Sequence, residues 1–259
     1  DLDSLEDRTV CDHVPVRIYR PSNTANLSVA VYFHGGGWVL GNLDTHDTLC
    51  RRIAKESGFV VISVDYRLAP ENKYPHAFND CYAATKYIAE HASELDIDSR
   101  RLIVAGDSAG GNLAATVSLK SRDEDRPTIQ AQVLIYPVIE PNFETGSYVS
   151  FATGHGLTRE SMQWFWQQYT DGSTADRQYV ELATANVKGL PSAHIVTAEY
   201  DVLRDEGENY AARLSAAGVQ TTTKRYKGMI HGFVHLSGLF DDGISAVSDM
   251  AKVIQQLAE

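Results

Sequence analysis

The stretch that most constrains this chain is Arg101-Leu-Ile-Val-Ala-Gly-Asp-Ser-Ala-Gly-Gly-Asn-Leu-Ala-Ala115. Leu102 to Ala105 is a short apolar run that reads as a buried strand, and Ala109, Leu113, Ala114, Val117 and Leu119 then set up a helix. Between them lies Gly106-Asp107-Ser108-Ala109-Gly110, so the backbone must reverse from strand to helix in a tight turn. Gly-x-Ser-x-Gly in that setting is the arrangement known as a nucleophile elbow. A serine at the apex takes strained dihedrals, and the flanking glycines leave room for strand and helix to close up beside it. Ser108 is therefore expected at the carboxyl edge of a sheet, above a helix amino end that favours negative charge. Glycines that merely build a turn are the plain alternative, and the strand and helix on either side weigh against it.

Apolar runs of the same kind recur. Residues 8–11 and 14–20 read as two strands joined by a turn at Asp12-His13, and 29–33, 59–64, 131–136, 194–198 and 221–226 read as further strands. Helical spacing marks 48–57, 78–91, 205–217 and 244–257. Strands alternating with helices predict an α/β fold with a mostly parallel eight-stranded sheet flanked by helices, its first pair antiparallel at one edge. One long interruption, about residues 139–185, is rich in aromatic residues, and Thr158 can cap a helix through Tyr169. A structureless loop of that length would be unusual, so it is expected to be a cap inserted into a single domain spanning 1–259. Most of Trp164, Phe165, Trp166 and Tyr169 should pack this cap onto the core, with one or two reaching substrate. Trp38, Phe143 and Leu203 are candidates for the pocket wall.

Composition narrows the function classes. Of 259 residues 43% are hydrophobic, enough for one large core, and no run of about 18 apolar residues suggests a membrane span. Acidic residues outnumber basic ones 34 to 23, and the net charge of -11 weighs against nucleic acid or an anionic membrane as partner. Cys11, Cys50 and Cys81 are odd in number and lack metal or redox spacing, which fits a reducing cytoplasm. The acidic opening, Asp1 to Asp7, shows neither the basic nor the apolar segment of a secretory leader.

A serine hydroxyl needs a positioned base, and in this topology the partners follow in the order Ser, acid, His. His231 lies in the loop after the last strand between Gly228 and Gly232, whereas His34 precedes a glycine run and His194 opens a strand. Asp201 follows the seventh strand, where a carboxylate can fix the imidazole tautomer; Glu199 is the runner-up, and Asp205 reads as a first-turn helix residue. Backbone amides for an oxyanion hole would come from Ala109 and the His34-Gly-Gly-Gly loop, each donor contributing about 2.7 to 4 kcal/mol to lowering the barrier. His235, four residues past His231, hints at a metal pair, but no third ligand is placed nearby and no His-Glu-x-x-His motif exists, so no metal is expected.

His34-Gly-Gly-Gly-Trp38, Asp65-Tyr-Arg-Leu-Ala-Pro-Glu71, Gly106-Asp-Ser-Ala-Gly-Gly111, Asp201-Val-Leu-Arg-Asp205 and Ile230-His-Gly-Phe233, in this order, resemble the bacterial hormone-sensitive lipase family of α/β-hydrolases, also called family IV esterases. The resemblance runs from about Val14 to the C-terminus. It implies a carboxylesterase for short to medium acyl chains with Ser108 as nucleophile, His231 as base and Asp201 as its orienter, and no cofactor. It also implies an oxyanion hole of Gly36, Gly37 and Ala109, a structural brace at Asp65 to Glu71, and a homodimer through the edge strand and C-terminal helix. Members usually carry cap helices ahead of the first strand, and this chain begins almost at that strand. The expectation is thus a small or truncated cap over an open, wet pocket with relaxed acyl preference. An arylformamidase or amidase would use the same triad, whereas the plant gibberellin receptors, which resemble the family, lack the catalytic histidine.

Overall fold

Apolar runs with no polar face become the middle of a sheet. The computed structural model describes residues 2–170, 177–236 and 241–257. Its first half runs β1 (Ser4–Val10), β2 (Val14–Arg20), β3 (Leu27–Phe33), α1 (Asp47–Ser57), β4 (Val60–Val64), α2 (His76–Glu90), β5 (Ile97–Asp107) and α3 (Ala109–Asp123). The second half runs β6 (Ala131–Ile135), α4 (Gly146–Ser150), α5 (Arg159–Tyr169), β7 (Ser192–Tyr200), α6 (Arg204–Ala216), β8 (Thr221–Ile230) and α7 (Asp241–Leu257). The sheet order is β1-β2-β4-β3-β5-β6-β7-β8. β2 is antiparallel to both β1 and β4, and every other pairing is parallel.

Alternation along each strand feeds two cores. Val29, Val31 and Phe33 pack with Ala84 of α2, Leu113 of α3 and Leu214 of α6, while Ala30 and Tyr32 pack with Ile53 of α1 and Met250 of α7. Both faces of the parallel strands are thereby covered, which is why these segments lack the polar alternation of a half-exposed strand.

The structure moves several expected boundaries. β1 starts at Ser4, four exposed residues before the expected start at Arg8 (residues 4–7), because an edge strand needs no apolar run. The hairpin turn falls on Cys11 and Asp12, at φ 51° and 65°, and the amide of His13 donates to Val10 O at 3.2 Å. Two left-handed residues in succession make a type I′ turn, whose twist suits a hairpin, so Cys11 is not part of the strand. β5 begins upstream of Arg101 with a bulge opposite Ser28/Val29, and β8 continues to Ile230. Among the described residues no helix is long and apolar enough to cross a membrane.

His194 shows how burial within the sheet acts on a titrating group. It sits in β7 with Nδ1 2.8 Å from Thr222 Oγ1, and burial, assisted by Lys224, lowers its pKa from 6.5 to about 4. The unfolded chain therefore binds a proton at this residue below about pH 6.5 that the folded chain refuses until about pH 4, so stability falls as pH drops through that window. The contribution is about 3 kcal/mol. His194→Gln is expected to flatten the pH dependence of the urea unfolding free energy by that amount relative to the unsubstituted protein. Parallel curves for the two proteins would contradict it.

Candidate active site

β5 ends at Asp107 and α3 begins at Ala109, so Ser108 alone makes the reversal, at φ 55° and ψ -119°. The turn closes only because of its glycines: a Cβ on Gly110 would lie 1.9 Å from Phe33 O, and one on Gly106 would lie 2.3 Å from Gly110 O. The Ser108 amide donates to Ile135 O at 2.8 Å, which ties the strained residue to the neighbouring strand.

Parallel register brings the other groups to the same edge. Phe33 lies opposite Gly106, so the loop after β3 emerges beside the serine, and Tyr200 lies opposite Ile230, so Asp201 and His231 leave adjacent strands together. His231 Nε2 is 3.0 Å from Ser108 Oγ, and its Nδ1 is 2.7 Å from Asp201 Oδ2. Asp201 is buried, and its Oδ1 accepts the Leu203 amide at 3.0 Å, which fixes the carboxylate plane. Glu199 accepts the Gly228 amide instead, and Asp205 accepts the Ser147 amide, so neither alternative acid reaches the imidazole.

In the glycine loop, Gly36 has φ +119°, and its carbonyl accepts the amides of Val39 and Leu40 at 3.1 and 2.9 Å. The amides of Gly36, Gly37 and Ala109 donate to no acceptor among the described residues. His34 is buried, with Nδ1 2.8 Å from Gly35 O and its ring stacked 4.2 Å from that of Tyr66; burial lowers its pKa to about 4, which keeps it neutral. The Tyr66 hydroxyl donates to His34 O, and the next residue, Arg67, clasps buried Asp80 through Nε and Nη2 at 2.8 and 2.6 Å.

Asp107, between strand and serine, is a second centre. Its Oδ1 accepts the Tyr32 hydroxyl at 2.7 Å and the Gly35 amide at 3.0 Å, and its Oδ2 lies 2.9 Å from His235 Nε2. Burial alone would raise this carboxyl, but the facing imidazoles of His46 and His235 hold it well below the ordinary carboxylate value. Burial likewise pushes His235 down, and the Asp107 carboxylate outweighs it, leaving that imidazole raised.

A cavity of about 350 Å³ opens over these groups, lined by Ser108, His231, the loop glycines, His46, Asp107 and His235. Leu157, Met162 and Phe165 from the segment between β6 and β7 form its apolar side. Ala109 is buried behind Ser108 and does not line it. The expected wall residues Trp38, Phe143 and Leu203 are not there. Trp38 is fully buried between Trp166 and Tyr169, with ring centroids 4.9 and 4.3 Å away, because its φ of 60° turns the side chain under the loop. Phe143 packs edge-on against Tyr148, and Leu203 is buried at the start of α6. Trp164 faces outward, 47% exposed. Of the segment 139–185, residues 171–176 lie outside the described residues.

The sheet order, the strained serine and the histidine between serine and carboxylate define an α/β-hydrolase, and the family described as "alpha/beta hydrolase fold" matches residues 30–235. The chain belongs to the hormone-sensitive-lipase-like branch of that family. It is 40% identical to the carboxylic ester hydrolase LipN of Mycobacterium tuberculosis over 98% of this chain and 70% of that protein. It is 41% identical to the carboxylesterase NlhH of the same organism over 90% of this chain and 76% of that one. Among solved structures, an esterase of Pyrobaculum calidifontis superposes with a TM-score of 0.96 at 43% identity, covering 100% of this chain and 86% of that chain.

Proposed function

We propose that Ser108, His231 and Asp201 carry out ester hydrolysis through an acyl-enzyme, with the amides of Gly36, Gly37 and Ala109 stabilising the oxyanion. The chain is a serine carboxylesterase, like the relatives it matches. The single observation that carries the residue roles is the imidazole of His231, within hydrogen-bond reach of Ser108 Oγ on one side and Asp201 Oδ2 on the other. His231 Nε2 takes the hydroxyl proton as Oγ attacks the ester carbonyl, and Asp201 stabilises the imidazolium. The same proton then goes to the leaving alkoxide, which departs as the alcohol. Water, deprotonated by His231, cleaves the acyl-enzyme to the acid and restores Ser108.

The segment between β6 and β7 serves as the cap in this reading, with Leu157, Met162 and Phe165 against the acyl or alcohol chain. A cavity of about 350 Å³ is near the small end of ligand pockets, which supports short to medium acyl groups. Among p-nitrophenyl esters, kcat/KM is expected to rise from acetate toward octanoate and to level off by laurate, since a methylene without a wall to bury it gains little. A rate rising through laurate would reject the chain-length assignment, and a formanilide turned over faster than every ester would favour the amidase reading.

A further inference from the structure

We propose that His46, Asp107 and His235 form a binding site for a divalent transition-metal ion of the zinc class, open to the ester cavity, and that its occupation lowers ester turnover. The binding half stands on its own observations. The turnover half rests on the esterase reading above.

The three residues come from separate stretches of sequence, and their ligand atoms all lie within 4.8 Å of one another. His46 Nε2 is 3.3 Å from Asp107 Oδ1 and His235 Nε2 is 2.9 Å from Asp107 Oδ2, while the two imidazoles meet edge to face with centroids 4.4 Å apart. Ligands about 3.3 Å apart are what a tetrahedral ion with bonds of about 2.0 to 2.1 Å requires; the imidazoles face different oxygens of Asp107, so the three ligand atoms, now within 4.8 Å of one another, must draw together around the ion. Two imidazoles and one carboxylate suit zinc, cobalt or nickel; calcium and magnesium would want more oxygens.

Hydrogen-bond bookkeeping orients one ligand for a cation. The Thr45 hydroxyl spends its only proton on Asn42 O at 2.9 Å, so at its 2.8 Å contact with His46 Nδ1 the ring must be the donor. In the neutral ring this leaves the Nε2 lone pair pointing at the Asp107 carboxylate, with one Gly35 N–H shared between them at 3.2 and 3.0 Å. Two acceptors facing each other across a single shared proton form a place where a cation gains more than a further acceptor would. Thr45 on Nδ1 and the Tyr32 hydroxyl on Asp107 are also the kind of outer contacts that hold metal ligands in position. An entry path exists, because all three residues line the cavity and the His235 side chain is 27% exposed. Three protein ligands with one side open leave a position for water or for a ligand from the cavity.

Occupation would act on turnover in two ways. The ion takes space beside Ser108 in a cavity of about 350 Å³, and it draws charge from the carboxylate that holds the Gly35 amide at the start of the oxyanion loop.

Cobalt(II) titration of the metal-free full chain tests this, read by the visible absorption of four-coordinate cobalt. One ion per chain is expected. His235→Gln and, separately, His46→Gln should weaken binding at least about 100-fold with unchanged circular dichroism, whereas Ser108→Ala and His231→Gln should leave it within about threefold. Turnover of p-nitrophenyl acetate should fall with the same midpoint as the band grows, and a chelator should restore it. No band at about 1 mM cobalt, equal affinity in His235→Gln, or loss of the band in His231→Gln would overturn the site. A full band with unchanged turnover would overturn the inhibitory half. A protein that hydrolyses no ester, yet binds cobalt through His46 and His235, would retain the site and overturn the esterase reading together with the inhibition.

Discussion

Ester turnover by the Ser108→Ala protein is expected to be about 10⁵ to 10⁶-fold below that of the unsubstituted chain in kcat, with binding of the ester little changed. The loss is large because Oγ is the atom that forms the acyl bond; without it only the oxyanion amides and the cavity remain, and these leave a residual rate above that in water. The fold should survive. Among the described residues the Ser108 side chain bonds only His231, and the backbone ties to Ile135 and Val138 do not depend on the hydroxyl. Single-turnover kinetics with p-nitrophenyl acetate and a urea unfolding curve read both halves. A decline of less than about tenfold, with the protein folded, would remove Ser108 from the chemistry.

Asp201→Asn is the second large effect, about 10³ to 10⁴-fold in kcat, and its cause can be traced atom by atom. Oδ1 of Asp201 accepts the Leu203 amide, so an asparagine must keep its carbonyl oxygen there and turn its NH₂ toward His231 Nδ1. An NH₂ group can only donate, so Nδ1 becomes the acceptor and the ring proton moves to Nε2. That nitrogen can then no longer take the proton of Ser108. Geometry is retained while the tautomer is wrong, so the signature is a fall in kcat with little change in KM. A rise in KM alone would mean that Asp201 acts on substrate binding and not on the imidazole.

The strand-turn-helix around Ser108 was legible because its signals are local: an apolar run, two glycines where a Cβ would strike backbone, and helical spacing after them. Asp201, His231 and the glycine loop could be placed on one edge because each follows a strand, and parallel register does the rest. The cavity wall was not legible. Leu157, Met162 and Phe165 carry no chemistry in their names, and only the path of the chain between β6 and β7 brings them over the serine. Trp38 misled for a related reason: it adjoins the glycine loop in sequence, but a left-handed backbone at that position buries it. His235 was noticed for its spacing from His231, yet its partners, Asp107 and His46, come from a different strand end and a different loop.

Because β3, β5, β7 and β8 each deliver a reacting or positioning group at the same end, their lengths are coupled. One residue added within β7 would push Asp201 about 3.3 Å along the strand and flip its face, further than any hydrogen bond tolerates. The opposite ends of those strands carry no such burden. Length variation in this protein can therefore be absorbed at the amino ends of the strands and in the long excursion after β6, which makes the excursion the natural place to regraft specificity while the ledge of strand ends stays fixed.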